Sequence, residues 1–231
     1  MNKELFKVEL TKQGIELSEQ QNEQFAYYFK RLVEQNKLHN LTSITDEEGV
    51  YEKHFFDSIS VGFGFDLNNL DVLDVGSGGG FPGMPLRIAF PNMKLSILDS
   101  TAKKIVFLDN LAKEMKLENV TPIVARAEEY KDKKFDVVTA RGVANLTMLL
   151  ELVCNLVKKD GYFVAMKGSK YQEELDAASN AIKVLGYKLV KKTEYKLPDE
   201  DSSRCNLYLK KVKDHDNKYP RNFGTMKKKP L

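Results

Sequence analysis

Between Leu70 and Leu86 the chain reads LDVLDVGSGGGFPGMPL, and few folds can be built around such a stretch. Val72-Leu73-Asp74-Val75 is a short apolar run rich in β-branched residues, the pattern of a central strand buried on both faces. Gly76, Gly78, Gly79 and Gly80 follow, and a turn so dense in glycine lets backbone pass close to a ligand with no Cβ in the way. Proline is tolerated in a first helical turn, so a helix is expected to start near Pro85. Strand, glycine turn and helix together open a nucleotide-binding α/β sheet, with the ligand beside the strand's carboxyl end.

The spacing narrows the nucleotide. A dinucleotide fingerprint counted from Gly76 would need glycine where Phe81 stands, and a P-loop would need Gly-Lys-Ser/Thr at its end. What remains is an acid inside the strand, Asp74, followed by Gly76-x-Gly78-x-Gly80. This resembles the first motif of the class I S-adenosylmethionine (SAM) methyltransferases. A second strand, Leu95 to Leu98, ends in Asp99, where a carboxylate can accept both ribose hydroxyls of an adenosine. Asp99 would serve equally as a surface cap for the next helix.

At 231 residues the chain can bury one sizeable α/β core, and a net charge of +3 does not by itself mark a nucleic-acid partner. The longest charge-free run, Val75 to Leu86, falls short of the ~18 apolar residues a membrane span requires. The start, MNKELFKVEL, has no apolar signal core, and Cys154 and Cys205 make neither a disulfide framework nor a metal cluster. A cytoplasmic monomer with no metal and no membrane partner is expected.

Residues 1–67 read as a helical extension. Ser18 to Gln21 forms a capping box, and Phe25, Tyr28, Phe29, Leu32 and Val33 make an amphipathic stripe. A second capping box is expected at Thr45 to Glu48, and the helix behind it would carry His54 and Asp57 on one face. That pair invites a catalytic reading, although a structural hydrogen bond explains the spacing as well. Residues 68–213 alternate strand and helix: a helix over 102–115, strand three at Val120 to Ala125, strand four at Phe135 to Thr139, and a helix over 146–158. Strand five at Tyr162 to Met166, a helix from Tyr171 to Leu185, and two closing strands over 188–197 and 205–212 complete it. The alternation predicts a Rossmann-like, mostly parallel seven-stranded sheet with an antiparallel last strand. Residues 214–231 form a basic tail whose stretch from Lys218 to Leu231 has five basic residues, no acidic one, and the rings Tyr219 and Phe223. That mixture suits phosphate contacts and base stacking, and is also the composition of a solvated end.

Taken together, Asn40-Leu41-Thr42, His54 to Ser58, the GSGGGFPG stretch, Asp99-Ser100, Arg126-Ala127-Glu128, Ala140 to Ala144 and the Tyr219-Pro220-Arg221 tail resemble the RsmG (GidB) family. Its members are bacterial methyltransferases of small-subunit ribosomal RNA. The resemblance implies methylation of N7 of a guanine in the 530 loop of 16S rRNA, with SAM as cofactor and 16S rRNA or the small ribosomal subunit as partner. It also implies cofactor contacts at Gly76, Phe81, Asp99, Ser100, Thr101, Ala127, Glu128 and Arg141, and the glycine turn adds Gly78. Arg126, Lys167, Arg221, Lys227 and Lys228 are the candidate RNA contacts. Asn222-Phe223-Gly224 departs from the family pattern, which has a basic residue and alanine before the glycine.

Absent motifs prune the chemistry. The Asn/Asp-Pro-Pro-aromatic motif of amino-group methylation is replaced after strand four by Thr139 to Gly142. Neither cysteine is placed as the nucleophile that pyrimidine C5 methylation needs. No catalytic general base is expected. The alternative reading is a class I methyltransferase acting on a small molecule or a protein.

Overall fold

The computed structural model describes residues 1–231. Two helices, α1 (Lys3–Lys12) and α2 (Glu19–His39), lead into α3 (Glu47–Val50), a π-helical turn over Tyr51–Phe56, and the single turn α4 (Asp57–Ile59). The α/β part follows as β1 (Asp71–Val75), α5 (Gly83–Ala89), β2 (Lys94–Asp99), α6 (Ala102–Glu114), β3 (Val120–Val124) and β4 (Phe135–Arg141). It continues with α7 (Leu146–Val153), β5 (Val157–Lys167), α8 (Tyr171–Ala177), α9 (Ser179–Val184), β6 (Tyr187–Lys196), β7 (Ser203–Lys211) and α10 (Phe223–Lys228).

The strands make one seven-stranded sheet in the order β3-β2-β1-β4-β5-β7-β6. Strands β1 to β5 pair in parallel, and β7 runs antiparallel to both β5 and β6. Because successive side chains leave a strand on opposite faces, two cores result. Val72, Leu95, Ile97, Val137 and Val164 join the N-terminal helices, α5 and α6 in one apolar cluster. Leu73, Val75, Leu98, Val138 and Phe163 join α7, α9 and α10 in the other. Pro122 is tolerated because β3 is an edge strand.

The stripe of α2 buries Phe25, Tyr28 and Leu32, and Phe25 packs edge-on against Phe6 at 5.2 Å between ring centroids. Ser18 and Gln21 form the expected capping box, and Gln21 Nε2 also reaches the Ile88 carbonyl at 2.6 Å. The second cap shifts by one residue: Asp46, not Thr45, accepts from Gly49 N at 2.7 Å.

Two helices differ from expectation. The helix expected over 146–158 ends at Val153, and the Lys158 to Gly161 stretch bulges out of β5 where its register against β4 shifts between Phe135 and Val137. Asp160 takes φ +66°, and a Cβ on Gly161 would lie 2.7 Å from the Asp136 carbonyl. The helix expected from Tyr171 to Leu185 is interrupted at the buried Ala178, which divides it into α8 and α9.

Candidate active site

Parallel strands deliver their carboxyl ends to one edge, and the turn after β1 is the tightest of these ends. Gly76 N donates to the Leu98 carbonyl at 2.7 Å, tying the turn to β2. Gly76 has φ +70°, and a Cβ there would stand 2.6 Å from Val143 Cγ2. Gly80 has φ +106°, and its Cβ would collide with the Tyr28 hydroxyl, which itself donates to the Gly79 carbonyl at 2.6 Å. Beneath the turn, Asp74 is fully buried; its Oδ2 accepts from Gly83 N at 2.8 Å while its Oδ1 has no partner. Burial pushes the Asp74 carboxyl up to about 6. At the end of β2, Asp99 accepts from Gly78 N (3.1 Å) and Thr101 N (2.8 Å), so its carboxylate is held rigidly at the sheet edge.

Around that carboxylate lies a cavity of about 320 Å³. Gly76, Asp99, Ser100, Thr101, Ala127 and Glu128 all line it, together with Val75, Leu98, Val143, Leu152 and Phe223. Val143, Leu152 and Phe223 had no signal in the glycine motif; Phe223 stood out only as a ring in a basic tail. Gly78 contributes from behind, through its bond to Asp99. Phe81 and Arg141 are placed elsewhere. The Phe81 ring turns away from the cavity and stacks between His54 (4.4 Å) and Tyr28 (5.5 Å). Arg141 lies over the same ring at 5.1 Å, and its guanidinium turns to a different set of acceptors.

Those acceptors belong to a second hollow of about 690 Å³, which shares Gly142 and Val143 with the first. Arg141 Nη1 donates to Asp57 Oδ2 (2.7 Å) and to the Lys53 carbonyl (2.9 Å), and Nη2 lies 3.3 Å from His54 Nδ1. Tyr195 donates to Asp57 Oδ1 at 2.8 Å. His54 Nε2 lies 2.7 Å from Thr42 Oγ1, and its Nδ1 also lies 3.2 Å from the Lys53 carbonyl. Burial and the neighbouring Arg141 charge lower the His54 pKa to about 3. His54 and Asp57 therefore form no catalytic pair: the guanidinium stands between them, and the imidazole stays neutral. The π-helical turn over Tyr51–Phe56, a form frequent at functional sites, sets the pair apart and turns the Lys53 carbonyl to Arg141.

Lys167, expected to face RNA, is only 8% exposed and donates to the Ala144 carbonyl (2.9 Å) and to Glu174 (2.7 Å). Glu174, Asn145, Glu200 and Arg204 line the same hollow, and none carried a motif in the sequence. Arg221 is likewise engaged: its Nε and Nη2 each reach a Glu151 oxygen at 2.6 Å. A carboxylate buried as deeply as Glu151 requires such pairing. Arg126, Lys227 and Lys228 remain exposed.

The smaller cavity fits SAM on its own chemistry. It has a pinned carboxylate at the end of β2 for ribose hydroxyls, apolar walls at Leu98, Ala127 and Leu152, and a glycine floor. Sheet order, the antiparallel seventh strand and this cavity define a class I SAM-dependent methyltransferase. The structure of M. jannaschii TYW2 in complex with AdoMet shares the fold, with a TM-score of 0.58 and 18% identity over 74% of this chain and 80% of that one. A ribosomal protein L11 methylase from Lactobacillus delbrueckii subsp. bulgaricus superposes with a TM-score of 0.55 at 14% identity, over 70% and 79% of the two chains. The sequence profile of GidB, the rRNA small subunit methyltransferase G, matches residues 21–202. The chain belongs to that family. It is 48% identical to the ribosomal RNA small subunit methyltransferase G of Lysinibacillus sphaericus, with both chains covered in full. The protein of the same description from Lactobacillus helveticus is 46% identical, again over the whole of both chains.

Proposed function

We propose that this enzyme transfers a methyl group from SAM to N7 of a guanine in the 530 loop of 16S rRNA, acting in the cytoplasm on the RNA or the small subunit. The observation that carries the reading is that the Asp99 cavity and the larger polar hollow meet on the same two residues, Gly142 and Val143. Bound there, SAM supplies an electrophilic sulfonium methyl. Asp99 holds the ribose hydroxyls, and Gly76 leaves room for the chain that links adenosine to sulfur. A flat base entering the second hollow meets Arg141, Asn145 and Lys167, whose N–H groups are donors suited to base oxygens.

Guanine N7 offers a free lone pair in the neutral base, so its alkylation needs alignment and no deprotonation. The residues present agree with that requirement. His54 is neutral and already hydrogen-bonded at both nitrogens, and Asp57 is occupied by Arg141 and Tyr195. The two glutamates that line the hollow are paired as well, Glu174 with Lys167 and Glu200 with Lys53. Transfer of labelled methyl from SAM to small subunits lacking the modification tests the reading. Substrate carrying 7-deazaguanine at the target should remain unlabelled; efficient labelling of it would place the methyl on another atom. In the same assay Asp99→Ala should weaken SAM binding by about 2 kcal/mol, as expected for loss of a charged hydrogen-bond acceptor.

A further inference from the structure

After β7 the tail returns across the second core to the sheet's carboxyl edge. Tyr219 is buried in that core, and Arg221 pairs with Glu151 through its side chain and through its backbone N–H (3.0 Å). Asn222 then caps α10 by accepting from Thr225 N at 2.9 Å, and Met226, beyond Phe223, is 1% exposed in the same core. The segment is thus pinned on both sides of one residue, Phe223, which is 41% exposed. Its ring lines the Asp99 cavity, and with Arg126, Glu128 and Arg221 it also borders an adjoining hollow of about 310 Å³. An exposed aromatic ring held by fixed flanks at the mouth of a cavity is placed to pack on a flat ligand there.

We propose that Phe223 is a cofactor-binding residue that covers the adenosine end of SAM, with the Arg221–Glu151 pair positioning it. The tail is then a wall of the cofactor site and not only a phosphate contact. This rests on the cofactor reading above and adds a contact that the glycine turn and Asp99 do not supply.

The chain has no tryptophan, so Phe223→Trp makes a single-tryptophan reporter. Its emission should change saturably with SAM, with the dissociation constant found by calorimetry, whereas a Tyr27→Trp control on exposed α2 surface should stay silent. Phe223→Ala should lower SAM affinity about two- to ten-fold, the fold-change equivalent to one lost aromatic packing partner. Arg221→Lys should weaken SAM binding in the unaltered background but not alongside Phe223→Ala, because a positioning residue acts only through the ring it places. Equal losses in both backgrounds would remove Arg221 from that role. Unchanged SAM affinity in Phe223→Ala, with a silent reporter in Phe223→Trp, overturns the proposal. If the alanine variant instead loses affinity for the small subunit alone, the ring serves RNA and the proposal also fails. Failure of the unaltered protein to bind SAM would strike the cofactor reading itself, and is thereby told apart from failure of the ring alone.

Discussion

Two titratable residues beside the glycine turn, the part-buried His54 and the buried Asp74, oppose each other in pH. His54 falls from its ordinary 6.5 to about 3 on folding, because burial and Arg141 disfavour the imidazolium. Between those values the unfolded chain binds the extra proton, so this residue's contribution to stability is lost as pH drops below 6.5. Asp74 rises from 3.8 to about 6, because burial disfavours its carboxylate. Here the folded chain binds the extra proton, and stability is lost as pH rises from 4 to 6. Between pH 7 and pH 5 the two effects run against each other. Relative to the unaltered protein, His54→Gln should therefore gain up to ~2 kcal/mol on going from pH 7 to pH 5, and Asp74→Asn should lose up to ~1.4 kcal/mol. Urea unfolding at the two pH values measures both, and parallel curves for all three proteins would mean that neither group titrates with folding. The same low His54 pKa predicts a methyl-transfer rate for His54→Ala that is reduced by lost packing on Phe81, with the pH profile of the unaltered enzyme retained.

Helix α7 does two jobs at once, lining the Asp99 cavity with Leu152 and holding the tail through Glu151. Glu151 has a side chain only 2% exposed, and Arg221 satisfies it through three bonds. Breaking such a pair on one side leaves an uncompensated buried charge, so Arg221→Ala should destabilise the fold by about 3 kcal/mol, measured by chemical denaturation. Glu151→Leu should cost less, because Arg221 is partly exposed and can reach water. What could be read ahead of the structure follows from how local each signal is. The strand–glycine–helix unit, the α2 stripe and the aspartate that ends β2 are set by neighbours in sequence, and they lie where their patterns put them. The end of α7 was hidden because Lys158-Lys159-Asp160-Gly161 has the composition of a helix C-terminus as much as of a strand bulge. His54 and Asp57 carry α-helical spacing, but a π turn and an arginine from β4 decide their partners. Glu151, Arg204 and Phe223 reach the site only through tertiary contacts, which leave no mark in a local pattern.

Across the whole molecule, internal pairing sorts the cations into those that build the site and those left for phosphate. Lys167 is neutralised by Glu174, Arg221 by Glu151 and Arg141 by Asp57. Lys227, Lys228 and Lys229, by contrast, are exposed on or next to α10, and none of them forms an ion pair within 4.0 Å. Because α10 begins at Phe223, on the rim of the Asp99 cavity, these lysines stand beside the edge that an RNA strand would follow on the proposed function. Each lysine that neutralises a phosphate of single-stranded RNA releases counterions and steepens the salt dependence by about 0.7 in the log–log slope. Replacing all three by glutamine should therefore reduce the slope of RNA affinity against salt by about 2. Lys167→Met should leave that slope unchanged, since its charge already belongs to Glu174, even where it lowers the rate of methyl transfer. Titration of a 530-loop RNA or small subunits at several salt concentrations separates the two groups. A slope that falls with Lys167→Met and is indifferent to the three tail lysines would move the phosphate contacts from the tail into the polar hollow.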